Sequence, residues 1–446
     1  MKYEEWSLGY WFLKQYVKFA DWLIHKKIII VGKDKIPKNK PVVFAPNHQN
    51  ALSDPMAVLL HTRFQPVWLG RADMFGKSKV IDAILRFMKI MPVYRLRDGK
   101  ENLDKNEKTF VDSIKVLENN AALALFPEAA HSAKQQMLAH KKAVPRIVFM
   151  AEEKTNNKLD IQIIPTGIYY SHYWKFNRTV IVNFGDAIAA KDFLDQYKKN
   201  SNSAANLLKT KIHDALLPLI VNFRTKKYYE SFEKITEIYG THFLKKQNKR
   251  NTILNRFYSD QLLAQKLDKL ENEKPDKTGE IVKNTEIFHS KIRKLKLRSW
   301  LISSQQNHFS MFLTNLFVLI IGFPLFLYGF IFNALPFFST DQITRRKVND
   351  VSFWSTFFLG TGIVLFPLIY ILQIVAVSGF IPKFWIGLLV LASWPFAGKL
   401  AFKWFILFRK TLGRIRMLKL KWINPAVYKQ LNHEKDTLFQ QLDQFI

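Results

Sequence analysis

The chain has 446 residues and no cysteine, with 67 lysines and arginines against 36 acidic residues, a formal net charge of +31. That length holds one catalytic domain of ordinary size plus accessory regions, and the lack of thiols excludes a cysteine acyl-enzyme. A balance this basic implies polyanionic partners. Nucleic acid is not expected among them: there is no zinc-finger spacing and no ribonucleoprotein motif, and the charge clusters beside apolar segments. An anionic lipid surface places the charge best, because juxtamembrane basic residues gain roughly 1 kcal/mol each there.

Residues 4–27 predict an amphipathic helix. Trp6, Tyr10, Leu13, Val17, Ala20 and Ile24 recur at helical spacing, and Lys14, Lys18, Asp21 and His25 form a polar stripe. The wealth of aromatics, with lysines opposite, suits a helix lying in a membrane interface; packing on the catalytic core is the alternative. The amino-terminal residues (Tyr3-Glu4-Glu5-Trp6) do not have the basic-then-apolar order of a secretory signal. With the absence of cysteine, this favours the cytoplasmic face.

Residues 28–200 alternate short apolar runs (Val42 to Phe44, Pro66 to Leu69, Ala122 to Phe126, Ile161 to Pro165, Val180 to Phe184) with helical patterns (Lys108 to Glu118, Lys141 to Glu153). The alternation predicts an α/β domain with a mixed, mostly parallel sheet and flanking helices. The first of these runs leads into Pro46-Asn47-His48 and then, with five residues intervening after the histidine, Asp54-Pro55. Aspartate before proline predicts a helix opening at Asp54 with that residue as its N-cap. The loop histidine is then within reach of a carboxylate that can fix its tautomer, as a general base for a hydroxyl requires. The plainer alternative is a capping aspartate beside an unrelated histidine.

Residues 201–308 are charged, poor in glycine and helical in pattern, with a break near Glu273 to Lys277. No catalytic constellation is visible there. Three apolar stretches follow, about 309–338, 353–378 and 380–402, each reaching the roughly 20 residues that span a bilayer. The basic tail at 403–446 and the loop with Arg345-Arg346-Lys347 both prefer the inside. Both preferences are met if the first stretch is a re-entrant element bent at Gly322-Phe323-Pro324 and the other two form a hairpin turning at Gly379 to Pro382.

Four segments carry a resemblance. Asn47-His48 with Asp54, Lys89 to Asp98 (with Arg95 and Arg97), Phe126-Pro127-Glu128-Ala129-Ala130-His131 and Ile163 to Ile168 resemble, in order, the four sequence blocks of the glycerophospholipid acyltransferase family. The resemblance covers about residues 40–170 and implies the glycerolipid acyltransferase fold. Two departures stand out. Most of the family has four residues between histidine and aspartate, and the five found here resemble the fungal branch that acylates glycerol 3-phosphate or dihydroxyacetone phosphate. Ala129 replaces the family's glycine, and His131 stands where many members have arginine.

The resemblance implies a membrane-bound O-acyltransferase of phospholipid synthesis, with His48 as base and Asp54 as its orienting partner. It gives Arg95 and Glu128 roles in binding the glycerol-phosphate acceptor; Arg97, His131, Lys141 and Lys142 are further candidates. Physically, an arginine fork suits phosphate, whereas Glu128 better suits a hydroxyl or a basic partner. The acyl donor is acyl-CoA or acyl-carrier protein, and no metal or redox cofactor is implied. A homodimer stays open. The expected location is the inner (cytoplasmic) membrane with the catalytic domain on its cytoplasmic face. The alternatives are a lysophosphatidate acyltransferase, an acyltransferase acting on a lyso-aminolipid, and a non-catalytic membrane scaffold that retains the fold.

Overall fold

An unbroken apolar run such as Pro41 to Ala45 makes a stable strand only where both faces are covered, and the computed structural model places it in the middle of a sheet. The structure describes residues 2–94, 105–303, 307–380 and 383–446. Arg95 and Arg97 lie outside the described residues. There are two compact units: one is the chain up to Ile220 together with Thr340–Val364, the other Val221–Ser339 with Leu365–Ile446.

The first unit begins with α1 (Leu8–Ile24), β1 (His25–Val31), β2 (Val42–Pro46), α2 (Ser53–Leu59), β3 (Val67–Arg71), α3 (Lys79–Phe87) and β4 (Ile90–Val93). It continues with α4 (Lys105–Glu118), β5 (Leu123–Ala124), α5 (Ala143–Lys154), β6 (Gln162–Tyr170), β7 (Arg178–Phe184), β8 (Ile188–Ala189), α6 (Leu194–Lys199) and α7 (Ser201–Leu216). The strands pair in the order β1-β7-β6-β2-β5-β3-β4, with β8 on β6. Every pairing is parallel except those of β6 with β7 and β8. The expected mixed, mostly parallel sheet is therefore what forms.

Side chains alternate across a strand, and β2 buries both sets. Val43 and Ala45 join Leu123 and Ile163 under α4, α5 and α7 through Leu117, Val148 and Leu208. Val42 and Phe44 join Ile164, Val182 and Phe184 with Val58 of α2 on the other face. Gly167 of β6 is required for its size: a Cβ there would sit 2.1 Å from the Leu219 carbonyl oxygen.

Helix α1 turns part of its polar stripe inward, with Lys18 left exposed. Lys14 and Asp21 are buried, while Trp6, Leu8, Trp11, Phe12, Tyr16, Phe19 and Trp22 are exposed. The Lys14 ammonium donates to the carbonyls of Thr62 and Phe64 at 2.8 and 2.7 Å. Burial lowers its pKa to about 8, with Lys18 and Lys33 adding to the effect. The helix ends at Ile24, and the charged residues expected to close it instead start the edge strand β1, paired with β7.

The second unit is helical: α8 (Tyr229–Lys246), α9 (Ile253–Glu273), α10 (Pro275–Lys294) and α11 (Ser299–Ser303), then most of α12 (His308–Lys347), the rest of α13 (Trp354–Val377) beyond Val364, α14 (Phe384–Ile423) and α15 (Pro425–Phe445). The break expected near Glu273 falls at Lys274, where Pro275 opens α10. Among the described residues three helical segments are long and apolar enough to cross a membrane: His308–Lys347, Val351–Phe380 and Phe384–Ile423.

The re-entrant bend expected at Gly322-Phe323-Pro324 does not form. Residues 308–347 make one helix with Pro324 and Pro336 inside it; an internal proline removes a hydrogen bond and kinks a helix, but it does not reverse the chain. Packing on α14 holds α12 straight enough to continue. A Cβ on Gly329 would meet the Ala397 carbonyl oxygen at 2.3 Å, and the Trp404 indole donates to the Leu319 carbonyl at 2.9 Å. Of the expected turn at Gly379 to Pro382, Ser378–Phe380 forms a single 3₁₀ turn, and residues 381–382 lie outside the described residues.

Because Thr340–Val364 belongs to the unit that holds the sheet, its basic segment and the sheet must share one side of any membrane. Single cysteines replacing the exposed Lys347 and Lys115 in this cysteine-free chain are expected to react with an impermeant maleimide from the same side. Labelling from opposite sides would contradict the division into units.

Candidate active site

β2 and β5 are parallel neighbours, so the loops that follow them leave the same carboxyl edge of the sheet, where open α/β sheets hold their ligands. The loop after β2 carries His48, and the loop after β5 carries Phe126 to His131. His48 Nδ1 lies 2.8 Å from Asp54 Oδ2. Asp54 is fully buried, and the His48 side chain keeps 15% of its surface. A carboxylate only accepts, so Nδ1 carries the proton and Nε2 is left with the lone pair.

The same Asp54 oxygen accepts the backbone N–H groups of Gln49 and Asn50, each at 2.7 Å. This corrects the expectation of an N-cap. Helix α2 starts at Ser53 after Leu52, and Asp54, inside the first turn, points back into the loop instead of capping forward. The five intervening residues fit because Asn50 to Ser53 close a turn (Ser53 N–H to Asn50 carbonyl, 2.8 Å) with Ala51 at a left-handed φ of 40°.

Neighbouring side chains fix the loop. The Asn47 amide grips β6 in both directions: Nδ2 donates to the Ile168 carbonyl at 3.1 Å, and Oδ1 accepts the Ile168 N–H at 2.6 Å. The imidazole of His48 stacks on Phe126 with ring centroids 3.7 Å apart and planes within 10°, and Phe126 is backed by Trp68 at 5.3 Å. Tyr170, buried beside Asp54, is held well above the usual phenol range by burial and by that carboxylate.

Glu128 is buried, and its two oxygens accept backbone N–H groups, from His48 at 3.0 Å and from Leu138 at 2.8 Å. In this structure it ties the two loops together. Burial pushes its pKa up to about 8, against the two N–H donors, which favour the ionised form. His131 has its ring 5.3 Å from that of His48, and its pKa is lowered first by burial and then by His48. Ala129, between them, has φ 56°, so the residue that stands in place of glycine sits where glycine is favoured.

Lys142 ends the loop before α5 and donates to Asn202 Oδ1 of α7 at 2.5 Å. Lys141 is exposed, with its backbone N–H on the Pro127 carbonyl at 2.7 Å. The structure thus gathers His48, Asp54, Glu128 and His131, and turns Lys142 toward α7. Three contributors escaped sequence reasoning. Asn47 and Phe126 carried a signal, being next to the histidine and first in the third block. Arg71 carried none: it ends β3 on the same edge, pairs with Asp73, and helps lower the pKa of His131. Among the described residues no cluster of histidine and acidic side chains could hold a metal ion.

Residues 27–169 match the Acyltransferase family model, less than half of the chain but the part that holds all these residues except Asn202 and Tyr170. No curated protein sequence matches the chain. Among solved structures, the 1-acyl-sn-glycerophosphate (LPA) acyltransferase PlsC from Thermotoga maritima is similar at 17% identity and a TM-score of 0.32, over 45% of this chain and 78% of that one.

Two outcomes are expected at the third block. Left-handed φ costs a non-glycine residue roughly 1–2 kcal/mol, and glycine returns part of that through the unfolded chain, so Ala129→Gly should raise stability by up to about 1 kcal/mol in denaturant unfolding. An unchanged or lowered midpoint would count against the strain. Glu128, raised from 4.5 to about 8 in the folded protein, binds its proton more tightly when folded. Its favourable contribution is therefore whole below about pH 4.5 and is lost as pH climbs toward 8. Glu128→Gln should flatten the fall of the thermal midpoint between pH 5 and 8, as read by scanning fluorimetry; parallel curves would place the fall elsewhere.

Proposed function

We propose that this protein is a membrane-bound O-acyltransferase that moves a fatty acyl group from acyl-CoA or acyl-carrier protein to a glycerol-phosphate acceptor in phospholipid synthesis. The observation that carries this reading is the closed His48–Asp54 pair at the carboxyl edge of the sheet, inside the segment that matches the acyltransferase family. His48 Nε2 takes the proton of the acceptor hydroxyl as its oxygen attacks the thioester carbonyl. Asp54 holds the imidazole in the required tautomer and stabilises the imidazolium, as the aspartate of a Ser-His-Asp triad does. The tetrahedral intermediate then expels the thiolate, which takes the proton back from His48. The acceptor attacks directly, so no protein nucleophile is required.

Glycerol 3-phosphate or dihydroxyacetone phosphate is the proposed acceptor, on the five-residue spacing. Arg71, together with Arg95 and Arg97, is proposed to bind its phosphate, because planar guanidinium groups match phosphate oxygens in pairs. One observation favours a second reading, lysophosphatidate as acceptor: the amino end of an apolar helix, up to Val364, belongs to the catalytic unit, which suits a substrate that resides in lipid. The exposed aromatic face of α1 supports a position at the inner, cytoplasmic membrane surface, with the basic charge meeting anionic lipid.

The test is an assay of the full-length protein in vesicles with glycerol 3-phosphate, dihydroxyacetone phosphate and lysophosphatidate, beside His48→Ala. One acceptor is expected to turn over, with kcat falling by about 10³-fold or more in the variant. No turnover of any of these acceptors by folded protein would leave the lyso-aminolipid acceptor or the scaffold, and turnover that survives the substitution would remove His48 from the chemistry.

A further inference from the structure

Ser53 precedes Asp54, and three elements meet at its hydroxyl. Arg178 Nη2 of β7 donates to it at 3.2 Å. The hydroxyls of Ser355 and Thr356 lie 3.1 and 3.3 Å away. Ser355 also donates to Asn50 Oδ1 at 3.2 Å, and the Asn50 N–H is one of the two backbone donors to Asp54. All of these residues are buried. Just ahead of this turn, the Phe353 ring stands edge-on to His131 at 5.1 Å and 87°.

Hydroxyls at the start of a helix ordinarily bond to their own backbone. Here they bond to a loop some three hundred residues earlier in the chain. The segment is secured on both sides: Phe358 packs edge-on against Phe176 at 5.9 Å, and the Tyr16 hydroxyl donates to the Ile363 carbonyl at 2.7 Å. The loop needs outside support, because Ala51 holds a left-handed φ of 40° in the turn that aims Asp54, and such a conformation persists only where its surroundings over-determine it.

We propose that residues 353–356, at the amino end of an otherwise apolar helix, are a positioning element of the active site: Ser355 and Thr356 hold the Asn50–Asp54 turn, and Phe353 backs His131. The inference deepens the acyl-transfer reading and rests on it for its kinetic test. A misplacement of about 1 Å in a catalytic group costs on the order of a hundredfold in rate without loss of the fold. The helix would thus be needed for chemistry as well as for residence in a membrane.

The experiment compares the full-length protein with the double variant Ser355→Ala/Thr356→Ala and the single variant Ser355→Thr, in vesicles of phosphatidylethanolamine and phosphatidylglycerol. The double variant should lose about 10- to 100-fold in kcat, with KM for donor and acceptor held and the thermal midpoint unchanged, and Ser355→Thr should keep most of the rate. A second readout needs no turnover. Carbethoxylation of His48 by diethyl pyrocarbonate, followed by mass spectrometry, should quicken about threefold or more in the double variant as the loop loosens, while His213, whose side chain keeps 40% of its surface, reacts as before. Wild-type kcat and wild-type His48 reactivity in the double variant would overturn the proposal. So would a loss of rate that tracks a lowered thermal midpoint and is shared by Ser355→Thr. If the unmodified protein acylates nothing, the acyl-transfer reading has failed and His48 reactivity alone decides: a rise supports positioning, and no change overturns it.

Discussion

One oxygen organises the site. Asp54 Oδ2 accepts the N–H of Gln49, the N–H of Asn50 and the Nδ1 proton of His48, all within 2.8 Å. A fully buried carboxylate is costly unless it is hydrogen-bonded, and here the three bonds to Oδ2 also fold the loop. The turn and the orientation of the imidazole are therefore a single structure. Around it, each neighbour removes one freedom: Asn47 ties the loop to β6, Phe126 fixes the ring plane, and Glu128 holds the His48 backbone from the next loop. The result is an imidazole whose position is set by buried groups and whose side chain keeps 15% of its surface.

The same economy of buried charge explains α1. Amphipathic helices of soluble proteins turn their polar face outward; this one buries Lys14 and Asp21 and leaves its aromatics other than Tyr10 exposed. The buried groups are satisfied: Lys14 by two carbonyls and Asp21 by His25 and His61. His25 in turn accepts from Arg178, which reaches Ser53. Burial of that polar face thus extends a connected set of hydrogen bonds from the amino-terminal helix to the residue beside Asp54, while the opposite face keeps an apolar surface that water alone would not favour.

How much of this could be read in the sequence depended on how local the cause was. β2, β3, β5, β6 and β7 are short apolar runs, and period and composition reveal them. β1 and β4 are half-exposed, one starting with His25-Lys26-Lys27 and the other only four residues long, so their pairing partners define them more than their own residues do. The dyad was legible because histidine and aspartate fall on one loop. Glu128 was visible as a site residue, but its bonds to two backbone N–H groups come from tertiary packing. Ser355 and Thr356 gave no signal, being two small hydroxyl residues in an apolar stretch. The expected bend at Gly322 to Pro324 rested on residue propensity alone, and packing of Gly329 against α14 outweighed it, as tertiary context commonly does.

Two alanines in left-handed conformation stand on the two loops of the candidate site, Ala51 after β2 and Ala129 after β5. Each costs roughly 1–2 kcal/mol that glycine would avoid. Glycine would also free the backbone, enlarging the set of loop conformations the folded protein must exclude. An alanine that is forced left-handed by its neighbours keeps the loop narrow once formed, because few other conformations are open to it. In the β2 loop those neighbours are Asp54 and, through Asn50 and Ser53, the first turn of α13; in the β5 loop they are Glu128 and the His48 carbonyl that accepts the Ser132 N–H. The strain is therefore localised where buried hydrogen bonds can balance it, and the His48 imidazole is held by loops that have little room to relax away from it.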